Sequence, residues 1–479
     1  MKRLLIVLIA LVAGFALVLP AGAVELKFGG LFAQKYYITN NQHDGQQNSH
    51  GEYDDNTNWF YTRMRLYFTG VASENLKAVS KFEIDDFWGN GRLGSLSADG
   101  SSNNQPDNNG MEIKNAYIDF IVPDTALNIK VGVIGARLDK PAWVFNDDTS
   151  GIFAAYKYGE WYFAALYSRL GDDNTISPNS TITPTDTADD VDIWAFAVNY
   201  TTVGLFTAFN FAWINNDDNW ANTDGLARPG SSPDPGKSLD LYVISLDTDY
   251  SSDVFSVYGD VAFNAGKSKQ TSPDSDFKGY AFMAGGTYSA TDTITLGADF
   301  YYASGNKLGN SDTKAFTTAG APAGRNAYNM DEVIFPGWFD DDTATINGGL
   351  GVANTNNITA TGFGTNAGYC LNNIWAIGAH ADFKPLDKTL IQFGGAYMGF
   401  VEKVASRTSN GQPADATLSN VNETRDSLGG SFYLRGSQGI VDGLTLKASV
   451  GYFFADEGFS PHRKDDDAYR IATGLFYSW

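Results

Sequence analysis

The chain has 479 residues, a formal net charge of −22, 14% aromatic residues, 51 glycines and a single cysteine, Cys370. Such acidity argues against a nucleic-acid partner, which needs a basic surface, and one cysteine excludes an intramolecular disulfide framework. Tyr, Phe, Thr, Val, Gly and Asn dominate, with no helix-forming block, Pro-rich linker or heptad repeat, which is strand and turn composition.

Residues 1–23 read as a secretory signal: Lys2 and Arg3, an apolar run from Leu4 to Leu19, then the small-residue site Ala21-Gly22-Ala23. Cleavage after Ala23 is expected to leave 24–479, whose charge becomes −24 because two basic residues depart from a chain at −22. No later stretch reaches about 18 consecutive apolar residues, so no transmembrane helix is expected. An exported chain can still enter a membrane as a closed barrel whose backbone groups pair internally.

From there one unit repeats: strand, short turn, strand, long polar loop. An opening strand covers 25–38. Strands 58–71 and 74–88 turn near Ser73; 111–122 and 126–138 turn at Pro123-Asp124-Thr125; 150–158 and 161–170 meet at Gly159-Glu160. Strands 191–201 and 204–215 meet near Thr202-Val203, 238–250 and 253–265 at Ser251-Ser252, and 277–289 and 293–305 at Ala290-Thr291-Asp292. Strands 374–384 and 388–402 turn at Pro385-Leu386-Asp387, 425–437 and 441–456 turn near Gly439, and 467–479 closes the chain. The expectation is an all-β protein: a single transmembrane antiparallel up-and-down barrel of about 18 strands, with 16 the second choice. One barrel explains the length better than two or three domains. Short turns would face the periplasm. The long connections 39–57, 89–110, 171–190, 216–237, 306–373 and 403–424, rich in Asn, Asp, Ser, Gly and Thr, would face outward. Aromatics cluster near strand ends as girdles demand: Trp59, Phe60 and Tyr61; Phe87 and Trp88; Trp161 and Tyr162; Tyr301 and Tyr302; Phe453 and Phe454; Phe476, Tyr477 and Trp479.

Period-2 alternation separates a lipid face from a lumenal one. Phe60, Met64, Leu66 and Phe68 point out, and Tyr61, Arg63, Arg65 and Tyr67 in. Leu76, Ala78, Phe82 and Ile84 point out, and Lys77, Lys81, Glu83 and Asp85 in. Leu127, Ile129, Val131 and Val133 oppose Asn128 and Lys130; Leu428, Phe432 and Leu434 oppose Arg425, Ser427, Tyr433 and Arg435. Leu444, Leu446, Ala448, Val450, Tyr452 and Phe454 oppose Lys447 and Ser449, and Ile471, Leu475, Tyr477 and Trp479 oppose Arg470. A Lys or Arg facing lipid at the midplane costs roughly 2–4 kcal/mol, so the inner face is most simply wet. About 16–18 strands leave an aqueous lumen.

Barrel closure would bring Lys27, Arg63, Arg65, Lys77, Lys81, Lys130, Arg435, Lys447 and Arg470 together as one basic wall. Two readings stay open for it: a field that attracts anions, or a set of charges paired with Glu83, Asp85, Asp119 and acidic loop residues. The Asp runs 147–148, 172–173, 217–218, 340–342 and 465–467 read as solvated loop tips. They could bind Ca²⁺, but none has the spacing of an EF-hand loop. His43, His50, His380 and His462 lack zinc-ligand spacing, and His380 and Asp382 share a face with no nucleophile in reach. No cofactor and no enzymatic activity are expected. The 306–373 connection, with Phe335, Trp338, Phe339, Phe363 and Cys370, could enter the lumen as a constriction, form an extracellular cap or make a subunit contact.

The opening Glu25-Leu26-Lys27-Phe28-Gly29-Gly30, the segment Arg63-Met64-Arg65-Leu66-Tyr67-Phe68-Thr69-Gly70 and the closing Gly474-Leu475-Phe476-Tyr477-Ser478-Trp479 resemble Gram-negative outer-membrane porins. The strand count is similar to the alginate-export-like and substrate-specific porins. The resemblance implies an outer-membrane location among lipid and lipopolysaccharide, a homotrimer, and Trp479 as the signal read by the barrel-assembly machinery. The connection at 139–149 is shorter than the constriction loop of general porins, so narrowing would have to come from elsewhere, 306–373 being the candidate. The leading function is passive diffusion of small hydrophilic solutes or ions, with anion preference from the basic wall. The alternative is a plugged barrel acting as a surface-binding or assembly scaffold through its acidic loops. Bilayer conductance and liposome swelling separate them.

Overall fold

The structure is a computed structural model that describes residues 24–40, 56–88, 111–171, 191–216, 238–269, 275–305, 314–317, 330–333, 338–339, 373–405, 424–456 and 467–479. Its strands are β1 (Glu25–Asn40), β2 (Asn56–Ser73), β3 (Leu76–Phe87), β4 (Met111–Ile121), β5 (Leu127–Arg137), β6 (Asn146–Tyr158), β7 (Trp161–Gly171), β8 (Val191–Thr202) and β9 (Leu205–Asn216). They continue with β10 (Leu239–Ser251), β11 (Phe255–Ser268), the two-residue β12 (Ser275–Asp276), β13 (Tyr280–Thr291), β14 (Ile294–Ala303) and β15 (Ile374–Leu386). The last four are β16 (Thr389–Ala405), β17 (Thr424–Val441), β18 (Leu444–Ala455) and β19 (Ala468–Ser478).

Since the two-residue β12 only pairs with the end of β11, at Lys267 and Ser268, the wall itself has 18 strands. Each pairs antiparallel with its chain neighbours, and β1 closes the sheet on β19 from Leu31↔Ser478 to Asn40↔Tyr469. Closure leaves no strand edge with unsatisfied backbone groups, which is what a hydrocarbon surround requires. Among the described residues no helix is long and apolar enough to cross a membrane.

The wall is apolar outside, with Leu26, Phe28, Val131, Phe432, Leu434 and Val450 exposed on its surface. Arg63, Lys35 and Arg470 are buried inside. This inverts a soluble barrel and fits a lipid solvent. Adjacent residues alternate faces, so the aromatic clusters at 59–61, 301–302 and 453–454 are split. Phe60, Trp161, Tyr477 and Trp479 are exposed outside, whereas Tyr61, Tyr301 and Phe453, expected in the girdles, are buried within.

Two local readings are corrected. The last hairpin turns at Asp442-Gly443, where Gly443 has φ +80°, rather than near Gly439, which pairs with Thr445 inside the strand. Leu428 and Ser427 exchange their expected faces. Met398 pairs with Gly429 and Gly399 with Ser427, so Leu428 is an unpaired bulge beside Gly429 at φ +131°. One extra residue reverses the alternation. Leu428 is buried inside, and Ser427 hydrogen-bonds the outward Tyr397 hydroxyl at 3.3 Å. The side chain of Arg425 lies outside the described set.

The lumen is not uniformly wet. Inward residues of β7–β11 are mostly small or aliphatic (Ala164, Ala195, Ala212, Ile214, Val243, Ala262) and pack in one buried cluster with Trp143, Phe145, Phe316, Met330 and Val333. Small wall residues leave room for inward-folded connections, whose apolar side chains replace water there.

Candidate functional site: the lumenal constriction

The basic wall begins at the short-turn mouth. Lys27 is largely exposed there, 3.8 Å from Glu25. Deeper, the β2–β3 register sets Arg63 opposite Asp85 and Arg65 opposite Glu83. Arg63 donates from Nε and Nη2 to Asp85 at 2.8 and 2.6 Å and lies 3.7 Å from Glu83. Arg65 is ion-paired with Glu83. Lys114 bridges Glu83 at 3.4 Å and Asp148 at 2.9 Å. Asp148, expected in a solvated loop tip, is therefore a wall residue of β6. Asp119 stands in register between Lys77 and Lys130 and accepts from Asn128. Lys81 lies over the Tyr67 ring, and Lys130 over Tyr117.

On the other side of the closure, Arg435 and Arg470 converge on a residue that strand alternation could not indicate. Glu332, fully buried, accepts from Arg435 Nη1 at 2.8 Å and from Arg470 Nη1 at 3.1 Å. Trp338 stacks against the Arg435 guanidinium, 4.6 Å from its ring centre, and its carbonyl accepts from Lys447 Nζ at 3.0 Å. Phe339 packs on Tyr37 and beneath Arg470. Glu332, Trp338 and Phe339 of the 306–373 connection thus lie inside the barrel against the basic wall, whereas Phe316 and Thr317 bond to Ser304 and Asn264. Lys35 of β1, also buried there beside Tyr61, shares the parity of Lys27, so alternation could have identified it.

The short 138–145 connection also turns inward, against expectation. Asp139 is buried and accepts three backbone N–H bonds, from Trp143 at 2.6 Å, Val144 at 3.0 Å and Phe145 at 3.3 Å. That knot makes a short loop rigid enough to reach across the lumen. The Lys140 N–H donates to Asp247 at 3.3 Å, Lys140 Nζ pairs with Asp249, and Trp143 packs on Tyr301 and Phe316. Burial pushes the Asp139 carboxyl up to about 6, against the three N–H bonds and Arg137, which pull it down. Described residues of both connections therefore occupy the lumen.

Between them lies a cavity of about 420 Å³. Asp249, Asp260 and Asp299 line one side, and His380, Gln392 and Arg435 the other. His380 Nδ1 and Asp382 share a hydrogen bond at 2.9 Å, Gln392 reaches both, and Tyr433 donates to Gln392 at 3.1 Å. This acidic side escaped the sequence reading because its members are single Asp residues on separate strands. At the closing end, Trp479 exchanges 3.2 Å backbone hydrogen bonds with Gly30 and packs near Phe28. Cys370, His43, His50 and His462, and the Asp runs at 172–173, 217–218 and 340–342, lie outside the described residues.

No family model matches the chain, and no curated protein does. Among solved structures it is similar to OccK11 (OpdR) of Pseudomonas aeruginosa, with a TM-score of 0.50 at 7% identity over 95% of this chain and 96% of that one. It is also similar to the outer membrane protein OprD of Pseudomonas aeruginosa, with a TM-score of 0.50 at 9% identity over 94% of each chain. At such identity the likeness is one of fold. With the apolar exterior and the closed wall, it makes the chain an integral β-barrel of the outer membrane, porin-like in architecture.

Proposed function

We propose that this porin-like barrel is a constricted, water-filled channel for passive diffusion of small hydrophilic solutes or ions across the outer membrane. The observation that supports it is the charged cavity of about 420 Å³ held inside a wall whose other face is apolar. Charges at membrane depth are tolerated where they line water. Two inward connections narrow the path, so the channel sieves by size and charge. Arg63, Arg65, Arg435 and Arg470 each face a carboxylate, which leaves the basic wall less able to attract anions than its residue types suggest.

Planar-bilayer recording of the purified, folded protein tests this. Stepwise conductance is expected; a correctly folded barrel that never gives steps overturns it. Liposome swelling with small sugars distinguishes the channel from a plugged scaffold. A homotrimer in lipid and lipopolysaccharide belongs to the same proposal, and the mass of the detergent-extracted native particle checks it.

A further inference from the structure

The cavity is lined by three acidic residues, Asp249, Asp260 and Asp299, beside three basic ones, Arg137, Lys140 and Arg435. Antiparallel pairing of β10 and β11 sets Asp247 directly opposite Asp260, and like charges so placed repel. Asp247 is well satisfied: it accepts from Asn210 at 2.9 Å, from Ser245 at 3.3 Å and from the Lys140 N–H at 3.3 Å. Asp260 is not. It is only 5% exposed, lines the cavity, and among the described residues its Oδ1 meets no hydrogen-bond donor. A buried carboxylate oxygen without a donor is costly and marks a place for one. Two further carboxylates flank it on the same cavity. Asp249 of β10 pairs with Lys140, and Asp299 of β14 accepts from the Tyr258 hydroxyl and stands 4.0 Å from His380 Nε2.

We propose that Asp249, Asp260 and Asp299 form a recognition subsite for the ammonium group of a small primary-amine solute passing through the cavity. This deepens the channel reading and rests on it. Asp260 Oδ1 can accept one N–H of an –NH3⁺ group, which has three donors and no acceptor, and Asp249 and Asp299 add negative charge on the same cavity. A metal ion needs several ligands at once, and among the described residues no three acidic or His side chains converge closely enough to hold one. Met283 and Met330, on the same cavity, offer apolar contact to the alkyl part. The cavity's Arg435 is already engaged by Glu332, so a carboxylate on the solute would compete with a buried partner.

Isothermal titration of the full-length folded barrel in detergent with butylammonium chloride tests the subsite without requiring conduction. Saturable binding is expected. Affinity should fall at least tenfold in Asp260→Asn, and tetramethylammonium, equal in charge but without N–H donors, should bind at least tenfold more weakly. Folding is checked by heat-modifiable migration, and Asp299→Asn gives the same test if Asp260→Asn fails to assemble. Absent saturable binding, unchanged affinity in the folded variant, or equal affinity for tetramethylammonium overturns the subsite. A barrel that binds butylammonium but never conducts overturns the channel and leaves the subsite. One that conducts without binding overturns the subsite alone.

Discussion

Replacing Glu332 with Gln should release the inward segment around it and widen the pore. Glu332 is fully buried and serves two guanidinium groups, Arg435 at 2.8 Å and Arg470 at 3.1 Å. Removing one partner of a buried ion pair costs about 3–5 kcal/mol, because the remaining charge stays desolvated. The contacts that survive are smaller. The Trp338–Arg435 stack contributes about 0.5–2 kcal/mol, and the Lys447 hydrogen bond to the Trp338 carbonyl about 1.5–3 kcal/mol, its donor being charged. They act before and after the substitution alike, so the docked state weakens by the loss itself. At about 1.4 kcal/mol per factor of ten, about 3–5 kcal/mol shifts the docked-to-released ratio roughly a hundred- to a few-thousandfold. Single-channel recording should show a larger open conductance with added noise, and the heat-modifiability midpoint should fall. Replacing Glu332, Arg435 and Arg470 together with Met should restore much of the midpoint, since apolar substitution of a whole buried ionic cluster is often neutral. Wild-type conductance and midpoint in Glu332→Gln would refute the clamp.

Asp139→Ala should untie the 138–145 connection, since each buried N–H left without an acceptor costs about 1–3 kcal/mol; increased conductance, with protease cleavage near Lys140, is the readout. The same carboxyl gives a pH signature. Its folded value near 6 lies above the ordinary 3.8, so the fold favours the protonated form. Its stabilising contribution is complete below about 4 and is lost as pH rises through 6, about 3 kcal/mol in all. Urea unfolding into vesicles between pH 4 and 7 should show that slope, and Asp139→Asn should flatten it. On the exposed outer face, Leu434→Arg should destabilise the folded barrel by about 2–4 kcal/mol in a bilayer, measured by the same unfolding experiment; a cost near zero would mean that this surface does not face hydrocarbon. Trp479→Ala, which removes the ring beside Phe28 while keeping the β1–β19 backbone bonds, should lower the yield of heat-modifiable barrel in the outer membrane far more than the stability of the barrel once formed.

The sequence by itself determined the wall. Side chains alternate along a strand with a period of two, and lipid and water demand opposite chemistry on the two faces, so Phe60 and Arg63, or Val450 and Lys447, declare their sides locally. The alternation of short turns and long connections likewise implies the strand count and the meeting of Trp479 with β1. Three things were decided only in the tertiary structure. A bulge beside Gly429 exchanged the faces of Ser427 and Leu428, because one unpaired residue shifts a period-2 pattern by half its length. Glu332, 103 residues from Arg435 in the chain, became its partner because a long connection folded back through the closed wall, and loops carry no periodicity that shows where they dock. Asp249, Asp260 and Asp299 became one surface because neighbouring strands brought single carboxylates together across turns and across β13. Faces are local and legible; the occupants and charge balance of the lumen come from long-range closure, which no local pattern encodes.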